Sequence, residues 1–191
     1  MLYREDVDGL KKKLALKENE KVVLHVTPNF NHEIKGGKYV VELAKRMPNV
    51  RFVIIGFNGN VKELPKNVYP IAFTKDQEEL ARYYSLADVT LLTSKKETFS
   101  MVCAESLCCG TPVVGFKAGA PETISLSDYS EFVEYGNVEG LQTAIEKWLC
   151  ETDINKQKIS KEAIPVYASE KMVEGYCAVY RQMVAKSRDR Q

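Results

Sequence analysis

Four short apolar runs separated by stretches of helical spacing constrain the fold of this chain more than any other feature. They lie at residues 22–26, 52–56, 89–93 and 112–116. Their apolar residues are nearly continuous rather than alternating, which is typical of strands buried on both faces of a parallel sheet. Weaker runs at 69–73 and 131–134 add two strands. The sequence therefore predicts an α/β fold with a doubly wound, Rossmann-like parallel sheet of about six strands and helices on both faces.

The helices between the strands can be placed from periodicity and from their terminal residues. Helices are predicted at 37–47, 76–84 and 101–109, and beyond Gly140 the chain reads only as helices, at 141–150, 154–163 and 170–186. The predicted capping residues are Asp76 with Glu79 as its capping-box partner, Ser100 for the third helix with Gly110 as its stop, and Ser169 for the last helix.

The last predicted helix carries an apolar stripe, formed by Val173, Tyr176, Tyr180 and Val184. Such a stripe usually belongs to a core, but a terminal helix can also dock on a partner or on a further domain. Residues 1–21 are charged and are interpreted as a linker that leads into a domain spanning residues 22–191.

Composition excludes several classes of function. The 27 Lys and Arg residues nearly balance the 26 Asp and Glu residues, so the chain has no global charge for binding nucleic acid or an anionic membrane. The sequence shows no signal peptide and no run long enough to span a bilayer. Five cysteines without C-x-x-C spacing argue for reduced thiols in the cytoplasm rather than disulfides or a zinc site. The adjacent Cys108 and Cys109 are interpreted as buried, with redox chemistry as the alternative.

Two loops at the carboxyl ends of predicted strands carry the candidate chemistry. In the first, residues 27–37, Lys35 precedes two glycines at the start of a helix, where backbone amides favour an anion. In the second, residues 96–111, Glu97 stands at the rim of the sheet and Glu105 lies one turn inside the helix. Two carboxylates can accept hydrogen bonds from hydroxyl groups, and both lie near one position that can bind phosphate. This arrangement predicts a nucleotide-sugar site.

Two other interpretations of the glutamates remain open at this point. Glu97 could be solvated while Glu105 pairs with a nearby Lys or Arg. The two carboxyl groups could also serve a glycoside hydrolase, in which an acid and a nucleophile or base flank the scissile bond about 5 to 10 Å apart. The hydrolase interpretation gives no role to Lys35.

The stretch from Glu97 to Glu105, followed by S-L-C-C-G-T-P-V-V, resembles the E-x7-E signature and its continuation in retaining family-4 (group 1) glycosyltransferases of the GT-B fold. The resemblance extends over about residues 22–180 and includes Lys35-Gly36, Ala87-Asp88 and G-A-P-E at 119–122. It covers only the C-terminal, donor-binding half of such enzymes. The N-terminal acceptor-binding domain is expected to be absent from this chain, and any peripheral membrane contact would come through that half.

The resemblance implies a role for each matching residue. Lys35 would contact the donor diphosphate, Glu97 the hydroxyls of the transferred sugar and Glu105 the ribose hydroxyls. Thr98, Phe99, Ser100 and Met101 would offer the loop and helix amides to sugar and phosphate, and Lys75 would lie near the base. Lys35 and Glu97 would be the catalytic residues, with a nucleoside diphosphate sugar as substrate and no metal or other cofactor.

Two positions depart from the family pattern. Asn29 stands where the family usually has an arginine as a second diphosphate contact, and Thr98 and Ser100 replace the usual glycines beside Phe99. Asparagine keeps a hydrogen-bond donor but has no charge. The expected function is retaining sugar transfer in polysaccharide or glycan biosynthesis. The alternative is a non-catalytic module that binds or senses nucleotide sugars.

Overall fold

The computed structural model describes residues 2–188, with side chains described up to residue 184. The predicted segments 1–21 and 22–191 therefore each extend beyond the described residues, at Met1 and at 189–191. Six parallel strands form one sheet in the order β3-β2-β1-β4-β5-β6, and this confirms the predicted doubly wound fold. The strands are β1 Val22–Val26, β2 Arg51–Ile55, β3 Val68–Ile71, β4 Val89–Leu92, β5 Val113–Phe116 and β6 Ser130–Val133.

Helices cover both faces of the sheet. They are α1 Asp8–Lys13, α2 Gly37–Arg46, α3 Gln77–Leu86, α4 Met101–Cys108, α5 Pro121–Ile124, α6 Val138–Cys150, α7 Lys156–Tyr167 and α8 Ser169–Arg188. Apolar residues of α2 and α6 share one buried cluster with the strands, and those of α1 and α3 form a second cluster on the other face. A third cluster joins α4 and α7. The strands are thus buried on both sides, as their continuous apolar runs predict.

The start of α3 confirms one predicted cap and corrects another. The Asp76 side chain accepts hydrogen bonds from the amides of Glu78 and Glu79, as expected of an N-cap. The capping box is wrong, because the Asp76 amide donates to the Thr74 hydroxyl oxygen at 3.1 Å. The same hydroxyl donates to Glu79 at 3.1 Å. Thr74 therefore stands between the two partners that a capping box would join directly.

The linker interpretation of residues 1–21 did not anticipate a helix that packs on the domain. Leu10 and Leu14 are buried in the cluster shared with α3. The Arg4 amide donates to the Ser85 hydroxyl at 2.9 Å. Charged residues flank Leu10 and Leu14, so the spacing of these two apolar residues does not stand out as the pattern of an amphipathic helix.

The other end of the chain corrects the core interpretation of the apolar stripe. In α8, which begins at Ser169, the side chains of Val173, Tyr176, Tyr180 and Val184 are each more than half exposed. The stripe therefore does not belong to the core of the described structure. Its amphipathic spacing alone could not tell a buried face from an exposed one.

The three cysteines of α4 and its C-terminus are buried, as small apolar residues would be. Burial raises the pKa of the Cys103 and Cys109 thiols to about 12 and also raises that of Cys108. Since the thiolate is the reactive form, these shifts go against the redox interpretation of Cys108 and Cys109.

The buried ammonium group of Lys156 connects α7 to the end of α3. Lys156 Nζ, at the start of α7, donates to the carbonyl oxygens of Ser85 (2.7 Å) and Ala87 at the end of α3, and lies 3.4 Å from the Thr111 hydroxyl. Replacing Lys156 with methionine removes this donor from the enclosed Ser85 carbonyl oxygen and leaves the Ala87 carbonyl oxygen with only the 3.3 Å bond from the Thr111 hydroxyl. We expect the free energy of unfolding to fall by about 2 kcal/mol, measured by urea denaturation at pH 7.

The same lysine makes stability depend on pH in a defined direction. Burial lowers the pKa of Lys156 from 10.5 to about 8. Between these two values the unfolded chain binds more protons than the folded chain, so raising the pH stabilises the fold. The stability of the wild type relative to Lys156→Met should therefore rise from pH 8 to pH 10. A difference that stays constant over this range would contradict the assignment.

Candidate functional site

The loops after β1 and β4 meet where the strand order reverses, which is the point where doubly wound sheets bind ligands. The Thr93 hydroxyl donates to the Lys35 carbonyl oxygen at 2.8 Å. The Lys95 amide donates to the Ile34 carbonyl oxygen, also at 2.8 Å. These two bonds hold the first candidate loop directly against the second, although Lys35 and Thr93 lie far apart in sequence.

The contact between the two loops brings the two predicted catalytic residues together as an ion pair. Lys35 Nζ lies 2.7 Å from Glu97 Oε1, with side-chain exposures of 28% and 19%. Lys35 is the last residue of a short 3-10 turn, Glu33–Lys35, and the Glu97 amide donates to the Ala118 carbonyl oxygen at 2.9 Å. The alternative with a solvated Glu97 is therefore wrong.

The ion pair leaves both partners with binding capacity. An ammonium has three N–H donors, and a carboxylate has two acceptor oxygens. Within residues 2–188, Lys35 Nζ bonds only to Glu97, and Glu97 Oε2 accepts no hydrogen bond. Two donors of Lys35 and one oxygen of Glu97 are thus available to a ligand at the edge of the sheet.

The start of α4 supplies a second group of donors. The amides of Phe99, Ser100, Met101 and Val102 have no hydrogen-bond acceptor in the described part of the chain. The Ser100 side chain caps the helix by accepting from the Cys103 amide at 3.4 Å, so this predicted cap is confirmed. The unpaired amides and the helix dipole favour an anion in front of the helix.

The backbone conformation of Ser100 explains why glycine is usual at this position in the family that the sequence resembles. Its φ angle is +71°, in the left-handed region. Glycine adopts this region without strain, whereas serine does so at a cost. The exposed side chains of Thr98, Phe99 and Met101 surround Ser100 at the rim. In this turn the serine hydroxyl caps the helix, and the neighbouring loop amides have no acceptor among the described residues.

Glu105 lies one turn further into α4 and is held by a tyrosine. The Tyr84 hydroxyl donates to Glu105 Oε2 at 3.0 Å. Burial raises the pKa of Glu105, and the hydrogen bond from Tyr84 acts in the opposite direction. No Lys or Arg pairs with Glu105 among residues 2–188, so the alternative of an ion pair at Glu105 is also wrong. No sequence pattern indicates this role for Tyr84, which reads as a helix core residue.

The loop after β5 borders the same edge and is fixed by Glu122. Its carboxylate accepts hydrogen bonds from the amides of Ala118 (3.0 Å) and Gly119 (2.9 Å). Burial raises the pKa of Glu122, but these amides and the charge of Lys117 outweigh it, so that the pKa is lowered overall. Because Ala118 in turn holds the Glu97 amide, Glu122 contributes to the position of Glu97.

Two predicted site residues are not brought into this group by any contact. Asn29 is exposed, and its Oδ1 accepts from Asn58 Nδ2 at 3.1 Å, which connects the loops after β1 and β2. Lys75 is exposed in the loop between β3 and α3. Both lie in loops at the carboxyl edge of the sheet, but the structure joins neither to Lys35 or Glu97.

One groove near the site does not contain the predicted catalytic residues. A groove of about 800 Å³ lies between the start of α2 and the loop after β2, and Phe30, Gly37 and Phe57 are among the residues that line it. It includes Gly36 but not Lys35, Glu97 or Glu105. The candidate site is therefore an open edge of the sheet rather than this groove.

Within residues 2–188, no group of three or more His, Cys, Asp and Glu side chains is arranged to hold a metal ion. No described helix combines the length and the apolar character needed to cross a bilayer.

Comparison with known proteins identifies the family. The chain is 27% identical over 190 residues to N-acetyl-alpha-D-glucosaminyl L-malate synthase of Bacillus anthracis, an alignment covering 93% of this chain and 50% of that protein. Its fold matches sucrose-phosphate synthase from Thermosynechococcus elongatus with a TM-score of 0.81 at 23% identity, over 97% of this chain and 50% of that one. It matches Anabaena HepE in complex with UDP-glucose with a TM-score of 0.76 at 20% identity, over 93% and 52% of the two chains.

These alignments show that the chain spans about half the length of the relatives it matches. The family model described as glycosyl transferases group 1 matches residues 6–165. That match covers most of the 191 residues and agrees with the E-x7-E stretch and with the GT-B structures above. The resemblance found in the sequence is confirmed, and the chain belongs to the group 1 glycosyl transferases.

Proposed function

We propose that this chain binds the donor of a retaining glycosyltransferase, a nucleoside diphosphate sugar, for use in glycan biosynthesis. The observation that carries the proposal is the Lys35–Glu97 pair beside the unpaired amides that open α4. Two solved structures of this fold contain UDP and UDP-glucose. The Bacillus relative is named for adding an N-acetyl-alpha-D-glucosaminyl group to malate. The structures with UDP and UDP-glucose support a sugar nucleotide as the donor, and the name of the synthase supports a sugar as the transferred group.

We assign each predicted site residue a role from its position in the family motif, and the chemistry of its side chain or amide is compatible with that role. The remaining N–H groups of Lys35 and the amides of Ser100 and Met101 donate to the diphosphate. The second oxygen of Glu97 accepts a hydroxyl of the transferred sugar, with the Phe99 amide and Thr98 at the same rim. Glu105 accepts from the ribose. Asn29 contributes an uncharged donor near the diphosphate, and Lys75 borders the base.

The chemical step needs stabilisation of charge more than proton transfer. Negative charge develops on the departing diphosphate as the bond to the anomeric carbon breaks. An ammonium and a helix start that are fixed before the reaction stabilise this charge without reorganising. Lys35 and the start of α4 supply the positive charge that a divalent metal supplies in other enzymes. We therefore propose transfer without a metal.

The open edge of the sheet suggests that a second domain completes the site. A dry cleft strengthens the interaction between an ammonium and a diphosphate, and an edge exposed to water does not provide one. We therefore propose that an acceptor-binding half closes over this edge in the complete enzyme, located in the cytoplasm. The 191-residue chain alone should bind the nucleotide weakly and transfer little sugar.

A second candidate function is a non-catalytic module that senses nucleotide sugars. It is favoured by Asn29, whose side chain bonds to Asn58 and carries no charge. Joining the chain to an acceptor-binding half and measuring sugar transfer separates the two functions. Nucleotide binding without transfer in the joined protein favours the sensor. Transfer that is lost in Glu97→Gln favours the enzyme.

A thermal-shift screen tests donor binding directly. A ligand that binds only the folded state stabilises it by about 2.7 kcal/mol at a hundred times its Kd, which raises the Tm of a chain this size by several degrees, at about 2 to 4 °C per kcal/mol. We expect such a rise with at least one of UDP, GDP and ADP, and a smaller rise with the matching monophosphate. Equal shifts with the monophosphate and the diphosphate would contradict a diphosphate contact at Lys35.

A further inference from the structure

The contact between α3 and α4 contains a feature that the proposed roles do not use. Tyr84 is completely buried, in the last turn of α3. Its backbone is fixed as well, since the Thr111 hydroxyl donates to the Tyr84 carbonyl oxygen at 2.5 Å. The side chains of a helix tilt toward its N-terminus, and the N-terminus of α3 lies at the carboxyl edge of the sheet. Tyr84 is thus a rigid group that points toward the site.

The only hydrogen bond of the Tyr84 hydroxyl within residues 2–188 goes to the carboxylate of Glu105, at 3.0 Å. This bond uses Oε2. Glu105 Oε1 accepts no hydrogen bond from the described residues, and it is not one of the buried polar atoms that lack a partner. Tyr84 therefore holds one oxygen of Glu105, while the other oxygen is accessible to a ligand.

We propose that Tyr84 is a positioning residue that fixes Glu105 so that its accessible oxygen accepts a ribose hydroxyl, which makes this chain selective for ribonucleotides over deoxyribonucleotides. The inference rests on the proposed function of the site. A carboxylate on a free side chain would have several rotamers and could turn both oxygens to water. The tyrosine removes this freedom before the ligand arrives, so the ribose contact loses less entropy on binding.

The electrostatics of the pair support the same role. Burial raises the pKa of Glu105, which favours the neutral carboxyl group. A neutral carboxyl group is a weaker acceptor than a carboxylate. The hydrogen bond from Tyr84 favours the charged form. Without the tyrosine hydroxyl, Glu105 would be both less ordered and less well suited to accept a hydroxyl.

The neighbouring residue provides a matched control. Tyr83 is in the same helical turn and is also buried, but its hydroxyl makes no hydrogen bond to Glu105. Lys13 Nζ lies over its ring, 5.7 Å from the centroid. Tyr83→Phe and Tyr84→Phe each remove one oxygen from the same turn, and only Tyr84→Phe removes the contact to the carboxylate.

The test measures binding of the 191-residue chain by calorimetry. The probes are UDP, GDP and ADP, the 2′-deoxy and 3′-deoxy forms of whichever binds best, and inorganic pyrophosphate. In the wild type, removal of one of the two hydroxyls should weaken binding roughly tenfold. In Tyr84→Phe this ratio should fall to about threefold or less, while Tyr83→Phe keeps the wild-type ratio. Pyrophosphate has no ribose, so its affinity should be unchanged in both variants and reports an intact fold.

A double-mutant cycle shows whether Tyr84 acts through Glu105. If it does, adding Tyr84→Phe to Glu105→Gln changes the ribose selectivity no further, whereas independent effects would be additive. In the unmodified chain, the ring-carbon NMR signal of Tyr84 should shift with the ribonucleotide and not with pyrophosphate. This measurement does not depend on the stability of any variant.

The outcomes separate the inference from the proposed function. If the wild type binds none of the three nucleoside diphosphates, the proposed function is overturned and the inference with it. Binding without discrimination in the wild type, or with the same selectivity in Tyr84→Phe, overturns the inference alone. An NMR signal of Tyr84 that does not respond to the ribonucleotide has the same consequence.

Discussion

Replacing Lys35 with methionine should weaken binding of a nucleoside diphosphate by about 10- to 100-fold, because a charge-assisted hydrogen bond contributes about 1.5 to 3 kcal/mol. Lys35 Nζ lies 2.7 Å from Glu97, so the substitution also leaves that carboxylate without its cation. An unpaired negative charge beside the start of α4 repels the phosphates. The loss should therefore exceed that of one ordinary surface contact.

Calorimetry with the nucleoside diphosphate selected by thermal shift measures the effect, and Lys38→Met is its control. Lys38 lies three residues further along, on α2, and its Nζ stands 4.9 Å from the Tyr39 ring centroid. It carries the same charge but lacks the ion pair. Equal losses of affinity in the two variants would show that Lys35 acts only through the overall positive charge of the surface and not through a direct contact. That result would remove the main support for the diphosphate site.

The pair Lys35 and Glu97 allows a sharper version of the same experiment. If part of the loss in Lys35→Met comes from the uncompensated Glu97, adding Glu97→Gln should recover that part of the affinity for pyrophosphate. Pyrophosphate has no sugar hydroxyl, so loss of the Glu97 contact itself does not matter for this probe. A double variant no better than Lys35→Met would assign the whole loss to the missing ammonium.

The fold could be predicted because the information lies in local patterns. A strand buried on both faces requires nearly continuous apolar residues, and both β1 and β4 satisfy this within a few positions. The linker interpretation of residues 1–21 shows where such patterns fail. Leu10 and Leu14 are buried only because α3 offers them a surface, and no pattern in their own segment indicates that surface.

The site could be predicted in part, and for a different reason. Strand ends and the resemblance identify Lys35 and Glu97, because parallel strands bring their carboxyl ends to one edge. Their ion pair depends on side-chain geometry across 62 positions of sequence, which spacing does not encode. Tyr84 and Glu105 are 21 positions apart on different helices. A buried tyrosine that holds a carboxylate and one that only fills space have the same sequence signature.

The second large effect is expected at Gly36, which brings the two loops together. Gly36 has a φ angle of +68°, and a Cβ placed there would lie 2.1 Å from the Thr93 carbonyl oxygen. Such a distance is far below contact, and the blocking atom is backbone, so Gly36→Ala must push the first loop away from β4. This movement strains the hydrogen bonds that Thr93 and Lys95 make to that loop.

Gly36→Ala should therefore reduce the free energy of unfolding by about 3 kcal/mol or more. Gly9→Ala in α1 is the matched control, because no atom lies within 4 Å of its added Cβ, and alanine in a helix should give a gain of about 0.5 to 1 kcal/mol. Urea denaturation measures both. Because Lys35 precedes Gly36, the folded fraction of Gly36→Ala should also bind pyrophosphate more weakly than the wild type. A variant that keeps both stability and pyrophosphate affinity would show that the close approach of the loops does not position Lys35.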